Sequence, residues 1–442
     1  MVTLRHSRDR VVRLAAGLAG IGLAVTLGLA ASTESASSLS VPGGPATALG
    51  RLTGLVGTYL MLIAVVLVAR LPALERAIGQ DRLVRWHRRL APWPLVLIAA
   101  HGALIAVGYG QAARSGPLHE LGTLLTSYPG VLAATVGFGL LAMAGVTSYR
   151  LARARMRHET WWAVHLYVYL GLALSFSHQL STGAAFIAQP LARAWWIAIW
   201  AATAGVAVVF RVGVPLWRSV YHRLRVVEIR HESPGVVSLV CEGHRLDRLP
   251  IAGGQFLQWR FLVPGLWWQA HPYSLSALPT SSHLRVTVKE LGDHSGELAR
   301  LRPGTRVAIE GPYGAFTSHA RQRDAVLLVG AGVGVTPLRA LLEDLPAGVS
   351  VEVVLRASSM EELVLEHEVT ELVERRGGRV HRLIGPRSLV QLDGATLREL
   401  VPDVAERDVY VCGPAGFSAS VERAARACGT PPRQLHQEAF AF

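Results

Sequence analysis

Four histidines fall as two spaced pairs on two apolar stretches: His87 with His101, and His165 with His178. Neutral imidazole is a good iron ligand, and two axial histidines leave no coordination position open, which suits electron transfer. Positions fourteen apart on an α-helix are separated by roughly 21 Å and rotated by only about 40° from a common face. Such a pair can put one imidazole near each side of a hydrocarbon core about 30 Å thick. Two helices carrying such pairs can hold two b-type haems, an inner one on His87 and His165 and an outer one on His101 and His178. The second pair is thirteen apart, which on an ideal helix turns one histidine roughly 220° from the other. A kink or a π-bulge is therefore expected in that helix. His158, in a basic loop, is a second candidate for the inner position.

Three further motifs lie in the C-terminal half. In His271-Pro272-Tyr273-Ser274 an aromatic ring can pack on an isoalloxazine while a hydroxyl and backbone groups bond its edge. Lys289 and the turn from Gly292 to Gly296, with Ser295, open a helix whose N-terminus and nearby cation suit the pyrophosphate of FAD. Gly311-Pro312-Tyr313-Gly314 reads as a tight turn. The second motif runs from a strand, Val326–Val329, into Gly330, Gly332 and Gly334, then Thr336 and Pro337 at a helix start. Glycines there allow close backbone approach to a dinucleotide pyrophosphate. Arg356, after the next strand, is placed to hold a 2′-phosphate, which favours NADPH over NADH. The third motif, Cys412-Gly413-Pro414, puts a thiol and a turn where nicotinamide would meet flavin. The terminal aromatics Phe440 and Phe442 are candidates to cover the flavin ring. Cys412, Phe440 and Phe442 are thus the candidate catalytic residues.

The elements that must position these residues change character near residue 216. Of 442 residues, 51% are hydrophobic. Before that point the apolar residues form six runs of about 20 residues, at 11–31, 51–71, 91–109, 129–149, 160–180 and 194–215, each long enough to span a bilayer. Arginines cluster before the first run, between the second and third, between the fourth and fifth, and after the sixth. The positive-inside rule therefore puts the N-terminus and the C-terminal half in the cytoplasm, with the chain in the cell inner or plasma membrane. The first run can also be read as a cleavable signal peptide. Arg51 lies at the outer end of the second run, where it can pair with a haem propionate, and His119 is in an outer loop. Trp93, Trp161, Trp162, Trp195 and Trp196 are read as interfacial anchors.

A net charge of +13 fits membrane topology and lipid contact better than nucleic acid, because the basic residues flank apolar runs and no zinc-finger or basic-aromatic motif occurs. Three scattered cysteines are too few for a disulfide framework. Beyond residue 216, short alternating runs at Val226–Arg230, Val236–Cys241, Phe256–Phe261, Leu284–Val288 and Val307–Glu310 predict a small antiparallel barrel. From Ala325 the order strand, glycine turn, helix, strand predicts an α/β domain. The fold class is therefore multidomain: an all-α six-helix transmembrane bundle over 1–218, an antiparallel β-barrel for FAD over 219–320, and an α/β nucleotide-binding domain over 321–442.

Taken together, the paired histidines, His-Pro-Tyr-Ser, the Gly330–Pro337 loop, Cys412-Gly413-Pro414 and the terminal Phe occur in the order seen in the ferric reductase and NADPH oxidase superfamily, which the chain resembles over nearly its whole length. The resemblance implies a haem domain fused to a flavin and nicotinamide module like that of ferredoxin reductases. It also implies that the family's fifth helix tolerates the thirteen-residue offset. The implied activity carries electrons from cytoplasmic NADPH or NADH through FAD and two haems to an external acceptor, ferric iron chelate or oxygen. Quinone or a periplasmic partner protein is a rival acceptor, and a membrane-anchored flavin reductase without haem is the rival from another class. Two positions qualify the resemblance. His271 stands where soluble ferredoxin reductases usually carry Arg, and Ile105 stands where eukaryotic oxidases commonly carry a further histidine, which weakens an oxygen-reducing role.

Overall fold

A computed structural model describes residues 2–156, 158–187, 189–386 and 388–439. The chain divides into two compact units, Met1–Val212 and Gly213–Phe442.

The first unit is helical. Its long helices are α1 (Val2–Ser32), α2 (Gly44–Leu67), α3 (Gln80–Leu90), α4 (Pro92–Ala113), α5 (Val131–Ser148), α6 (His158–Thr182) and α7 (Pro190–Val208). Among the described residues, five stretches are long and apolar enough to cross a membrane: Arg10–Ser32, Gly44–Leu67, Arg82–Ala113, Val131–Ser148 and Pro190–His222. Helix α6 has 25 residues but is not among them. Its two candidate ligands, with Ser175, Ser177 and Gln179, lower its hydropathy.

Small residues set the helix spacing. A Cβ on Gly137 would stand 2.6 Å from the Gly171 carbonyl oxygen, and one on Gly171 would stand 2.7 Å from that of Gly137. Helices α5 and α6 therefore touch backbone to backbone, as small residues permit in membranes. Gly50 and Gly57 do the same for α2 against α4, where added Cβ atoms would press on Ile105 and on Leu97 and Ile98. Tyr59 ties α2 to α1 by donating its hydroxyl to the Ala19 carbonyl at 2.8 Å.

The second unit opens with α8 (Val214–His222). This helix docks on the strands behind it, where Ser219 Oγ accepts from the Ile309 amide at 3.2 Å. Six strands follow: β1 (Arg225–Ser233), β2 (Val236–Glu242), β3 (Phe256–Phe261), β4 (His271–Ser274), β5 (His283–Lys289) and β6 (Val307–Tyr313). They form two antiparallel three-stranded sheets, β1-β2-β5 and β4-β3-β6, around one apolar core that includes Trp259, Phe261 and Leu239. The expected tight turn at Gly311–Gly314 is instead the end of β6, with a cis Gly311–Pro312 bond and Tyr313 paired to Phe256. Gly-Pro reads as a turn in isolation, but an edge strand tolerates proline because its N–H side needs no ladder partner.

The remainder is a five-stranded parallel sheet: β7 (Ala325–Ala331), β8 (Ser350–Ala357), β9 (Arg379–Ile384), β10 (Asp408–Gly413) and β11 (Leu435–Ala439), in spatial order β11-β10-β7-β8-β9. Helices α10 (Val335–Asp344), α11 (Glu366–Glu374), α12 (Gly394–Leu400) and α13 (Ala415–Ala427) connect them; α9 (Asp293–Leu298) precedes the sheet. Apolar clusters cover both sheet faces, so the strands are near-continuous apolar runs, as parallel strands buried on both faces must be. An ionic cluster joins this sheet's helices to the antiparallel strands. Arg285 of β5 forks onto Glu368 of α11 with two bonds of 2.7 Å, and Arg339 of α10 reaches the same carboxylate at 2.7 Å. Burial would raise the Glu368 carboxyl, but the two guanidiniums hold it below the usual range.

Candidate functional site

The structure brings His87 and His165 together, with ring centroids 6.3 Å apart and planes at 79°. Two imidazoles each about 2 Å from one metal ion, with the ring centre about 1 Å further out, have centroids about 6 Å apart. The spacing therefore fits two axial ligands on one iron. His101 and His178 both line a cavity of about 310 Å³ in the helical unit, with Met61, Leu141 and Phe138 among its apolar walls and Arg51 also on its lining. Arg51 is held by Glu34 at 3.0 Å.

In all four histidines Nδ1 is engaged. His87 bonds the Ala64 carbonyl at 2.9 Å, His101 the Gly50 carbonyl at 2.8 Å, and His178 the Ser175 carbonyl at 2.5 Å. His165 meets the Ser148 hydroxyl at 3.3 Å. A carbonyl can only accept, so Nδ1 carries the proton in the first three rings and Nε2 keeps its lone pair. That tautomer is the one a metal-ligating histidine needs, and it is the second observation that fits haem at these positions.

Two local expectations are corrected. His87 is on α3 rather than on the helix that carries His101; the break is at Ala91, ahead of Pro92 and Pro94. Ala91 keeps right-handed helical angles and its amide bonds the His87 carbonyl at 2.8 Å, so the path of the chain stays nearly helical. Helix α6 is unbroken α-helix between His165 and His178, without the expected π-bulge. The His178 ring instead folds back onto the carbonyl three residues before it. The π-turn of this region lies elsewhere, at Val209–Gly213. Trp196, expected at an interface, is fully buried, stacks on Phe186 and donates to Gln179 at 2.7 Å.

In the second unit, Tyr273 and Ser274 lie on β4, beside β3. His271 stacks on Tyr273 with centroids 6.2 Å apart, and Pro272 is exposed. The Ser274 hydroxyl is buried with no hydrogen-bond partner among the described residues. Leaving such a group unpaired costs about 1–3 kcal/mol, so a ligand acceptor or donor at this point fits flavin. Burial pushes the Tyr273 phenol well above its ordinary range, so it stays neutral. Lys289 ends β5, half-buried. The Ser295 hydroxyl accepts from the amides of Leu291 at 2.8 Å and Gly292 at 3.1 Å, so it shapes its own turn.

The glycine loop sits where the parallel sheet changes direction. Strands β7 and β10 are neighbours, and the chain leaves them toward opposite sheet edges. Ligands of such sheets bind at the carboxyl ends of those two strands. Gly330 pairs in register with Cys412. Each glycine has its own reason. A Cβ on Gly330 would strike Leu338 of α10 at 2.8 Å; Gly332 has φ +55 and open space around it; a Cβ on Gly334 would lie 2.3 Å from the Cys412 carbonyl oxygen. Thr336 closes the loop by donating to the Val333 carbonyl at 2.9 Å, with Pro337 buried behind it. The turn from Gly413 to Pro414 lies beside this loop; Pro414 is exposed and caps α13. The Cys412 side chain belongs to an apolar cluster, and burial first, then Glu438, holds its thiol well above the ordinary range. It is a neutral thiol, and its backbone is the part against the loop.

Arg356 does not meet the expectation of a phosphate reader. It is 8% exposed and donates to the carbonyls of Ala357, Leu383 at 3.3 Å and Gly385 at 2.7 Å. Its guanidinium seals the ends of β8 and β9. Phe440 and Phe442 lie outside the described residues.

Residues 53–176 match the model of the ferric reductase like transmembrane component. The match contains His87, His101 and His165 and ends two residues before His178. The chain is also 32% identical over 226 residues to the ferredoxin reductase component of 3-ketosteroid-9-alpha-monooxygenase from Mycolicibacterium smegmatis, covering 49% of this chain and 63% of that protein. The chain joins a ferric-reductase-like transmembrane component to a ferredoxin-reductase-type module. A flavohemoprotein from Bacillus subtilis is 28% identical over 247 residues, 51% of this chain and 60% of that protein. The chain thus spans under two thirds of the length of these relatives. Among solved structures, the flavohem-like FAD/NAD binding domain of nitric oxide dioxygenase from Vibrio cholerae has 27% identity and a TM-score of 0.43, covering 50% of this chain and 98% of that one.

Sequence reasoning missed the groups that fix the histidines in the transmembrane component. Ala64, Gly50 and Ser175 act through backbone carbonyls, which carry no residue signature. The one available signal was the run Gly50, Gly54, Gly57 on α2, a small-residue stripe that brings a carbonyl within reach of His101.

Proposed function

We propose that the chain is an NAD(P)H-dependent oxidoreductase that carries electrons from cytoplasmic NADPH or NADH, through FAD and two b-type haems, to a ferric iron chelate or oxygen outside the membrane. The reading takes 1–218 as a six-span haem domain, 219–320 as a flavin barrel and 321–442 as the nicotinamide domain, with the last two in the cytoplasm. The observation that carries it is the set of four histidines whose Nδ1 atoms are all engaged, two of them paired at 6.3 Å and two on one apolar cavity. FAD, when bound, supplies the exchange between two-electron nicotinamide and one-electron haem chemistry. Every other part belongs to this chain. His87 with His165, and His101 with His178, would hold the two haem irons through their ring nitrogens. Ser274 offers an unspent hydroxyl and Tyr273 a neutral ring for the flavin, with Lys289 near the pyrophosphate. The backbone of Gly330–Gly334 and the start of α10 receive the nucleotide phosphates, and the Cys412–Pro414 turn borders the nicotinamide.

The test is an anaerobic absorption spectrum of the purified protein before and after NADPH, with haem and flavin quantified per chain. Two b-type haems reduced through bound FAD are expected. Flavin without haem would refute the histidine assignment and leave a membrane-anchored flavin reductase. His101→Leu should abolish external reduction while the inner haem still accepts electrons; retained reduction with an unchanged outer-haem spectrum would refute that pairing.

A further inference from the structure

The four histidines are not held alike. Three bond backbone carbonyls, whereas His165 meets a side-chain hydroxyl that is already heavily used. Ser148 Oγ donates its only proton to the Ala144 carbonyl at 2.6 Å and accepts from Trp161 Nε1 at 3.0 Å. With that proton spent, the oxygen can only accept from His165, so Nδ1 carries the proton here too. Two N–H donors share one hydroxyl oxygen, at 3.0 and 3.3 Å, so Trp161 and His165 compete for the same acceptor. The Trp161 indole also stacks on the His165 ring at 5.2 Å and 25°, and the Arg153 guanidinium lies 4.8 Å from the indole centroid. Guanidinium, indole, hydroxyl and imidazole thus form one connected set around a single ligand.

We propose that Ser148, Trp161 and Arg153 are positioning residues for His165 that set the midpoint potential of the inner haem independently of the outer one; this rests on the haem reading above. Outer-shell partners tune a metal through the basicity and orientation of its ligand. The hydroxyl acceptor strengthens electron donation by His165 and favours the oxidised iron. The Arg153 cation acts in the opposite sense, favouring the form with the added electron. Trp161 links the two, fixing the ring plane by stacking and competing for the hydroxyl.

The test is a potentiometric titration of the full chain in detergent, with haem counted per chain and low-temperature EPR of the oxidised protein. Ser148→Ala is expected to raise the midpoint of one haem component and shift its EPR signal, with Ser148→Thr restoring both. Arg153→Gln is expected to lower the same component. The other component should not move in either variant. Opposite shifts of one component cannot come from general loosening, which would move both variants the same way. If Ser148→Ala loses the inner haem, the Arg153→Gln shift still decides. Unmoved midpoints in variants that keep two haems overturn the proposal and leave the haem reading intact. An unmodified chain without haem overturns both.

Discussion

A Cβ on Gly54 would lie 2.6 Å from the His101 ring, and one on Gly334 would lie 2.3 Å from the Cys412 carbonyl oxygen. Both glycines make room, but for different things. In the helical unit the room goes to a side chain: α2 and α4 close up until the Gly50 carbonyl can orient an imidazole. In the reductase unit the room goes to backbone: the loop abuts the Cys412 carbonyl of the neighbouring strand β10, leaving the open peptide at Gly332 at the carboxyl end of the central strand β7. The helical unit presents side chains held by main chain, and the reductase unit presents main chain held by side chains such as Thr336. The first arrangement suits a ligand bound at one atom, the second a phosphate gripped by several amides.

The contrast breaks most sharply at Gly334. Gly334→Ala sets a methyl against backbone that cannot give way, so flavin reduction by NADPH should fall on the order of 10²-fold. The haem spectrum should be unchanged, and stopped-flow reduction with a parallel haem count checks both halves of the claim. Gly54→Ala should do the reverse: outer-haem affinity falls by about 10–100-fold, seen as loss of one haem per chain with NADPH-to-flavin transfer intact. Loss of both haems would show that Gly54 supports the bundle as a whole.

A third test sharpens the reductase side. Arg356→Ala should destabilise that unit by about 1–3 kcal/mol, because three carbonyls lose a buried donor. It should lower efficiency with NADPH and NADH alike; a selective loss with NADPH would restore the phosphate-reading role. The smallest effect concerns pH. Burial pushes the Cys241 thiol from an ordinary 9.0 up to about 12. The folded thiol holds its proton where the unfolded one has lost it, so this contribution is complete below pH 9.0 and declines as pH rises toward 12. The decline is about 1.4 kcal/mol per pH unit. Melting of the reductase unit, followed by flavin fluorescence between pH 9 and 10, should show a shallower slope in Cys241→Ala than in the unmodified chain.

Much of the reductase unit was legible because its signals are local. Alternation marks β1, β2, β3 and β5, and an apolar run into glycines marks β7 and α10. Gly311-Pro312 misled because its pairing with β3 comes from residues some fifty positions away. Arg356 misled because a charged residue after a strand looks exposed, whereas the ends of β8 and β9 supply carbonyls enough to bury it. In the helical unit, apolar runs marked the long helices, and His87 and His165 lie together in the structure. Spacing did not find the break at Ala91, although Pro92 and Pro94 stand beside it. Nor could it foresee the fold-back of His178, because a rotamer choice leaves no trace in spacing.

Glu368 is a single carboxylate gripped from two sides, by Arg285 of the antiparallel strands and Arg339 beneath the glycine loop. Remove it, and the two guanidiniums lose the carboxylate they share across the seam, leaving Arg339 to Glu343 and Arg285 to the Ser276 carbonyl. The clearance between the antiparallel strands and the glycine loop is thus gauged by a residue that belongs to neither, much as the thickness of a shim sets the clearance of a bearing.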